Sequence, residues 1–118
     1  MQDLFDLSGK VAVVTGTSRG LGQYFGRALA RAGADLVITS RNIESLAEFK
    51  KEIEALGRKA LAVQLDVLSQ SDIENMVRAA VQEYGKIDIL VNNAGLNIRH
   101  PSSEFPWEDW DTVLNTNL

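Results

Sequence analysis

The chain has 118 residues, 45% hydrophobic and 24% charged, with a formal net charge of −4. That is the make-up of one globular domain or part of one, and its interspersed charges favour neither nucleic acid nor an anionic membrane surface as a partner. With no cysteine, disulfides and thiol chemistry are excluded, and there is no apolar run of the roughly 20 residues that a membrane-spanning helix needs. The acidic start Met1–Asp6 lacks the basic-then-apolar build of a signal peptide, so a cytoplasmic location is expected. No metal site is expected either.

Val11–Thr15, an apolar and β-branched run, reads as a first strand. It stops at Gly16-Thr17-Ser18-Arg19-Gly20-Leu21-Gly22, and a helix over Leu21–Ala32 follows. Its apolar face is predicted as Leu21, Tyr24, Phe25, Ala28, Leu29 and Ala32 from their helical spacing. A strand feeding a glycine loop and then a helix suits an anion, because loop N–H groups and the positive helix end converge there. Glycine keeps Cβ atoms out of the way. By itself the run also fits a plain βα turn.

Leu36–Thr39 is the second strand, and Asn42 is a good N-cap for a second helix carrying Ile43, Leu46, Ile53 and Leu56 inward and ending at Gly57. Leu61–Leu65 is the third strand. Ser71 with Glu74 has capping-box form, opening a helix with Ile73, Met76, Val77, Ala80, Val81 and Tyr84 on one face and Gly85 at its end. Ile87–Val91 is the fourth strand. After it come Asn92-Asn93-Ala94-Gly95, a loop from Leu96 to Phe105, and a helix opened by Pro106 with Trp107, Trp110, Val113 and Leu114 as its stripe.

Apolar strands alternating with amphipathic helices predict an α/β fold, a doubly wound parallel sheet covered on both faces. The sequence halts inside the last helix, and the partner for the outer side of strand four is missing. Residues 1–118 therefore read as the N-terminal part of one Rossmann dinucleotide-binding domain, truncated after strand four and the start of the next helix.

Three blocks resemble the short-chain dehydrogenase/reductase family: Thr15-Gly16-x-x-x-Gly20-x-Gly22, Asn92-Asn93-Ala94-Gly95 and Asn115-Thr116-Asn117-Leu118, supported by Asp66-Val67 after strand three. The resemblance implies an oxidoreductase moving hydride between nicotinamide and a hydroxyl or carbonyl substrate. It makes Gly16, Thr17, Ser18, Arg19, Gly20, Leu21 and Gly22 the pyrophosphate loop. It has Asp66 accept from the adenine amino group and Val67 offer its amide. It lays Asn92 and Ala94 along the ribose, with Gly95 allowing close approach and Asn93 bracing the central strand. Asn115 matches the family's catalytic asparagine, which holds a water linking a lysine to solvent.

The family's serine and Y-x-x-x-K pair have no match, since Ala28 follows Tyr24 and Asp88 follows Tyr84. Both tyrosines are expected in the core. The chain is accordingly expected to bind the adenosine half of the cofactor without catalysing.

An NAD site usually places an acid about 20 residues after the glycine loop, whereas arginine suits the 2′-phosphate of NADP. Strand two ends in Thr39-Ser40-Arg41. Arg41 and Arg19, with the Ser18 and Ser40 hydroxyls, therefore predict NADP, with NAD as the alternative.

The loop Arg99-His100-Pro101, Glu104-Phe105-Pro106 and Trp110, with the opening Leu4–Lys10, resembles gluconate 5-dehydrogenase-like members of the family. That implies a sugar-acid substrate whose carboxylate pairs with Arg99 beside His100, in a homo-dimer or homo-tetramer. A 3-oxoacyl-acyl-carrier-protein reductase-like member and a non-catalytic or engineered minimal Rossmann module stay open as alternatives. A methyltransferase-like nucleotide binder is a further rival, but it wants an acid after strand two, where Ser40-Arg41 stand.

Overall fold

Four short apolar runs lie side by side and parallel: β1 (Val11–Val14), β2 (Asp35–Ser40), β3 (Ala60–Gln64) and β4 (Ile89–Asn92). Their order is β3-β2-β1-β4, with β1 central and Val13 level with both Val37 and Leu90. The computed structural model describes residues 6–18 and 20–93, together with the backbone of 97–99. Helices α1 (Gly20–Arg31), α2 (Ala47–Ala55) and α3 (Gln70–Tyr84) alternate with the strands, and a 3-10 turn at Ile43–Leu46 leads into α2.

Because successive strand side chains point to opposite faces, the sheet feeds two cores. Val11, Val13, Val37 and Leu90 pack with Ile73, Met76, Val77 and Ala80 of α3. Ala12, Val14, Leu36, Ile38 and Val91 pack on the other face with Ala30, Leu46, Phe49 and Ile53, from α1, the turn and α2. Helices on both faces explain why the strand interiors are almost wholly apolar, with polar residues gathered towards the strand ends, and the expected α/β sheet is the one observed.

The structure corrects several local expectations. The buried stripe of α1 is Gly22, Gly26 and Ala30, while Leu21 and Tyr24 are 48% and 64% exposed and Ala28 is exposed as well. Small residues let the helix backbone sit close to its neighbours, so the larger apolar side chains are pushed to the flanks. A Cβ on Gly26 would lie 2.7 Å from the Phe49 ring.

Tyr24 accordingly packs edge-on against Phe25 rather than in the core. In the second helical segment Ile43 and Leu56 are exposed, and Phe49 fills the place between Leu46 and Ile53. Asn42 does cap, accepting from the Glu44 amide at 3.1 Å, but it caps the 3-10 turn. The α3 cap is Ser69 instead of Ser71, accepting from the Asp72 amide at 3.2 Å. The helix thus begins two residues earlier than the Ser71–Glu74 pattern suggested, and Val81 is exposed. The outer side of β4, expected to lack a partner, pairs antiparallel with β5 (Asn97–Arg99), inside the stretch expected to be loop.

Tyr84 is half-buried, and its hydroxyl donates to the Leu36 carbonyl at 3.0 Å. Burial pushes its pKa above the usual phenol value, and the nearby Asp35 carboxylate adds to that. A folded-state pKa raised in this way stabilises the fold below the ordinary phenol value near 10 and loses that stability as pH climbs beyond it. Tyr84→Phe is expected to cost about 1 kcal/mol near neutrality through the lost hydrogen bond. It should also flatten the alkaline fall in stability, read by denaturant melts from pH 8 to 11.

Candidate functional site

Two threonines stitch the loop that follows β1 to its neighbours. The Thr15 amide donates to the Val91 carbonyl at 3.0 Å. The Thr15 hydroxyl donates to Asn92 Oδ1 at 3.3 Å and accepts from the Asn93 amide at 3.0 Å, tying β1 to the end of β4. On the other side, the Thr17 amide and hydroxyl both donate to the Thr39 carbonyl of β2, at 2.9 and 3.1 Å.

Between these anchors Gly16 adopts φ +67°, and a Cβ there would stand 3.2 Å from Asn93 Nδ2. Gly22, in the first turn of α1, sits directly under the loop, where a Cβ would be 2.1 Å from the Gly16 carbonyl oxygen. Gln23 Nε2 donates to the Ser18 carbonyl at 2.9 Å, holding the far limb. The result is a backbone-lined cradle at a helix N-terminus, the arrangement in which amides and helix dipole receive an anion.

The cradle opens into a crevice of about 770 Å³ beyond the C-terminal ends of β1, β2 and β3. It lies beside β1, whose neighbours β2 and β4 follow in opposite directions across the sheet, the switch point at which ligands of such sheets bind. Gly16, Ser18, Ser40, Arg41, Asp66 and Val67, six of the residues assigned to the cofactor from sequence, line it together. Thr17 is fully buried behind the loop with its hydroxyl committed to Thr39. Leu21 is exposed on α1, Gly22 lies beneath Gly16, and Asn92 is buried behind the strand end. Neither these four nor Gly20 line the crevice. Arg19, Ala94, Gly95, His100 and Asn115 lie outside the described residues, and only the backbone of Arg99 is described, in β5.

Asn42, Ser45, Leu68 and Asn93 also line the crevice, though no ligand contact is expected of them from sequence. Ser45 Oγ donates to the Asn42 carbonyl at 2.6 Å and lies 3.2 Å from Ser40 Oγ, which also accepts from the Asn42 amide. The position of Asn42 two residues past the end of β2, as a helix cap, is the one signal in the sequence for this cluster.

Arg41 and Asp66 are the charged residues of the lining among the described residues, one after β2 and the other after β3. Among those residues, no three His, Cys, Asp or Glu side chains gather to hold a metal ion. Nor is any described helix long and apolar enough to cross a membrane.

The family model for short chain dehydrogenases matches residues 10–118. The chain belongs to the short-chain dehydrogenase family. It is 46% identical over 116 residues to a gluconate 5-dehydrogenase of Gluconobacter oxydans, covering 98% of this chain and 45% of that protein. This short-chain dehydrogenase sequence therefore spans about half the length of the curated relatives it matches.

Among solved structures, a metagenomic short-chain oxidoreductase in complex with NADP has a TM-score of 0.71 and 41% identity, covering 76% of this chain and 41% of that one. A short-chain dehydrogenase/reductase from Burkholderia phymatum in complex with NAD has a TM-score of 0.72 and 34% identity, covering 78% of this chain and 33% of that one. The glycine cradle and the Asn92-Asn93 corner thus sit in the fold of a known family of dehydrogenases.

Proposed function

We infer that the chain is the nucleotide-binding portion of an NADP-dependent oxidoreductase. The carrying observation is the pairing, in one crevice, of a glycine cradle with the Ser40-Arg41 end of β2, where no carboxylate stands. The residues fit the cofactor physically: Gly22 lets the loop settle onto the first turn of α1, and Gly16 lets it pass close to Asn93, without a Cβ in the way. The guanidinium and hydroxyls after β2 suit a phosphate of charge about −2 better than a ribose hydroxyl.

In this reading the Gly16–Ser18 backbone and Gly20, Leu21 and Gly22 of the first helical turn hold the diphosphate, with Thr17 fastening that loop. Arg41, Ser40, Ser18 and Arg19 hold the 2′-phosphate. Asp66 and Val67 read the adenine edge, and Asn92, Ala94 and Gly95 border the ribose. When bound, the nicotinamide supplies or accepts the hydride exchanged with a hydroxyl or carbonyl carbon.

Asn115 orders a water for proton transfer, while Arg99 and His100 face the substrate. Likeness to a protein named gluconate 5-dehydrogenase supports a sugar acid as that substrate. The longer protein works in the cytoplasm as a homo-dimer or homo-tetramer, and the 118-residue chain binds cofactor without turnover.

The test is thermal melting of the chain with NADP and with NAD. At 100 times its Kd, NADP is expected to add about 2.7 kcal/mol of stability, with NAD requiring higher concentrations for the same shift. A chain whose melting responds to neither nucleotide would overturn the reading.

A further inference from the structure

The turn after β3 is held from below by a residue outside the crevice. Asp72, in the first turn of α3, accepts from the Asp66 amide through Oδ2 at 3.0 Å. The Ser69 amide donates to the Asp66 carbonyl at 2.9 Å, and the Leu68 amide donates to Asp66 Oδ1 at 3.0 Å. Ser69 Oγ in turn accepts from the Asp72 amide at 3.2 Å. These bonds occupy the amide, the carbonyl and one carboxylate oxygen of Asp66. Among the described residues, Asp66 Oδ2 and the Val67 amide have no hydrogen-bond partner, and both residues line the crevice. One free acceptor beside one free donor is the complement of a 6-amino purine edge, which offers an N–H and a ring nitrogen.

We propose that Asp72 is a positioning residue for base selection: its carboxylate fixes the Asp66–Leu68 turn so that Asp66 Oδ2 and the Val67 N–H present as a matched pair. This rests on the assignment of Asp66 and Val67 to adenine. A 6-oxo purine inverts both groups, setting a carbonyl oxygen against the carboxylate and an N–H against the amide. A rigid turn rejects it; a loosened turn lets the two groups move apart and discriminates less. Ser69 caps α3 but does not touch the Asp66 carboxylate, so capping and base selection are separable.

The experiment measures the Kd of NADP and of its hypoxanthine analogue for wild type, Asp72→Ala, Asp72→Asn and Ser69→Ala, with circular dichroism to check folding. Wild type is expected to favour NADP by about tenfold or more, the effect of one hydrogen bond to a charged group and its mismatch. In Asp72→Ala that ratio should fall below about threefold, mainly by loss of NADP affinity. Asp72→Asn, which keeps an acceptor oxygen, should restore the ratio. Ser69→Ala should lower the melting temperature and leave the ratio intact.

If Asp72→Ala fails to fold, Asp72→Glu takes its place, with the ratio again expected to fall because the added methylene displaces the carboxylate. Equal weakening of both nucleotides by the Asp72 variants, or an unchanged ratio, overturns the proposal. A wild type that binds NADP but ignores the purine change overturns the adenine assignment and this proposal with it. A wild type that binds neither nucleotide removes the cofactor reading itself.

Discussion

Gly22→Ala is expected to abolish measurable NADP binding and to lower the melting temperature by about 10 °C, the equivalent of roughly 3 kcal/mol in a domain of this size. A methyl group there would stand 2.1 Å from the carbonyl oxygen of Gly16 and 2.8 Å from its carbonyl carbon. Backbone cannot swing aside as the end of a side chain can. Either α1 retreats from the sheet, or the loop shifts off its anchors at Thr15 and Thr17, and each alternative opens the cradle.

Gly57→Ala is the contrast. Gly57 follows the end of α2 with φ +86°, and nothing lies within 4 Å of the new Cβ. Only the left-handed strain remains, about 1 kcal/mol, and NADP affinity should be retained. Comparable losses in melting temperature for the two variants, or NADP affinity surviving in Gly22→Ala, would remove the claim that the cradle depends on helix–loop contact.

Arg41→Asp is expected to weaken NADP roughly 10- to 100-fold while changing NAD less than about threefold. The substitution replaces a guanidinium with a carboxylate at the end of β2, so a dianionic 2′-phosphate meets repulsion where it met attraction. Arg41 is exposed, which holds the magnitude below that of a buried pair. The same exposure makes the wild-type preference for NADP shrink as salt rises, since at 0.15 M the screening length is about 8 Å. Isothermal titration with both nucleotides at two salt concentrations reads each effect. An Arg41→Asp chain that keeps its preference for NADP would sink the assignment of this corner to the phosphate.

The mistaken faces share a cause. Apolar spacing nominates Leu21, Tyr24 and Ala28 for burial on α1, yet the helix buries Gly22 against the loop, Gly26 against Phe49 and Leu36, and Ala30. Hydrophobicity scales give a glycine stripe no weight, although close approach of backbones is what it provides. The Ser71–Glu74 pattern was likewise outweighed by Ser69, because Asp72 at the third helical position is held by the Asp66 amide. A local capping rule cannot register a partner supplied by the preceding turn.

Legible along the chain are the succession of the first four strands and three helices, the parallel sheet and the glycine loop after β1. These follow from periodicity and backbone permissiveness, both properties of neighbouring residues along the chain. Motif position also singled out Ser40, Arg41, Asp66 and Val67 as candidates for cofactor contact, and the fold sets these four along one crevice. Tertiary structure alone decided that Thr17 faces β2 instead of the ligand side and that β5 pairs the outer side of β4. It alone brought Asn42, Ser45 and Asn93 into the same crevice. These depend on which atoms meet across separations such as the 22 positions between Thr17 and Thr39, where the partner is supplied by strand pairing and not by neighbours along the chain.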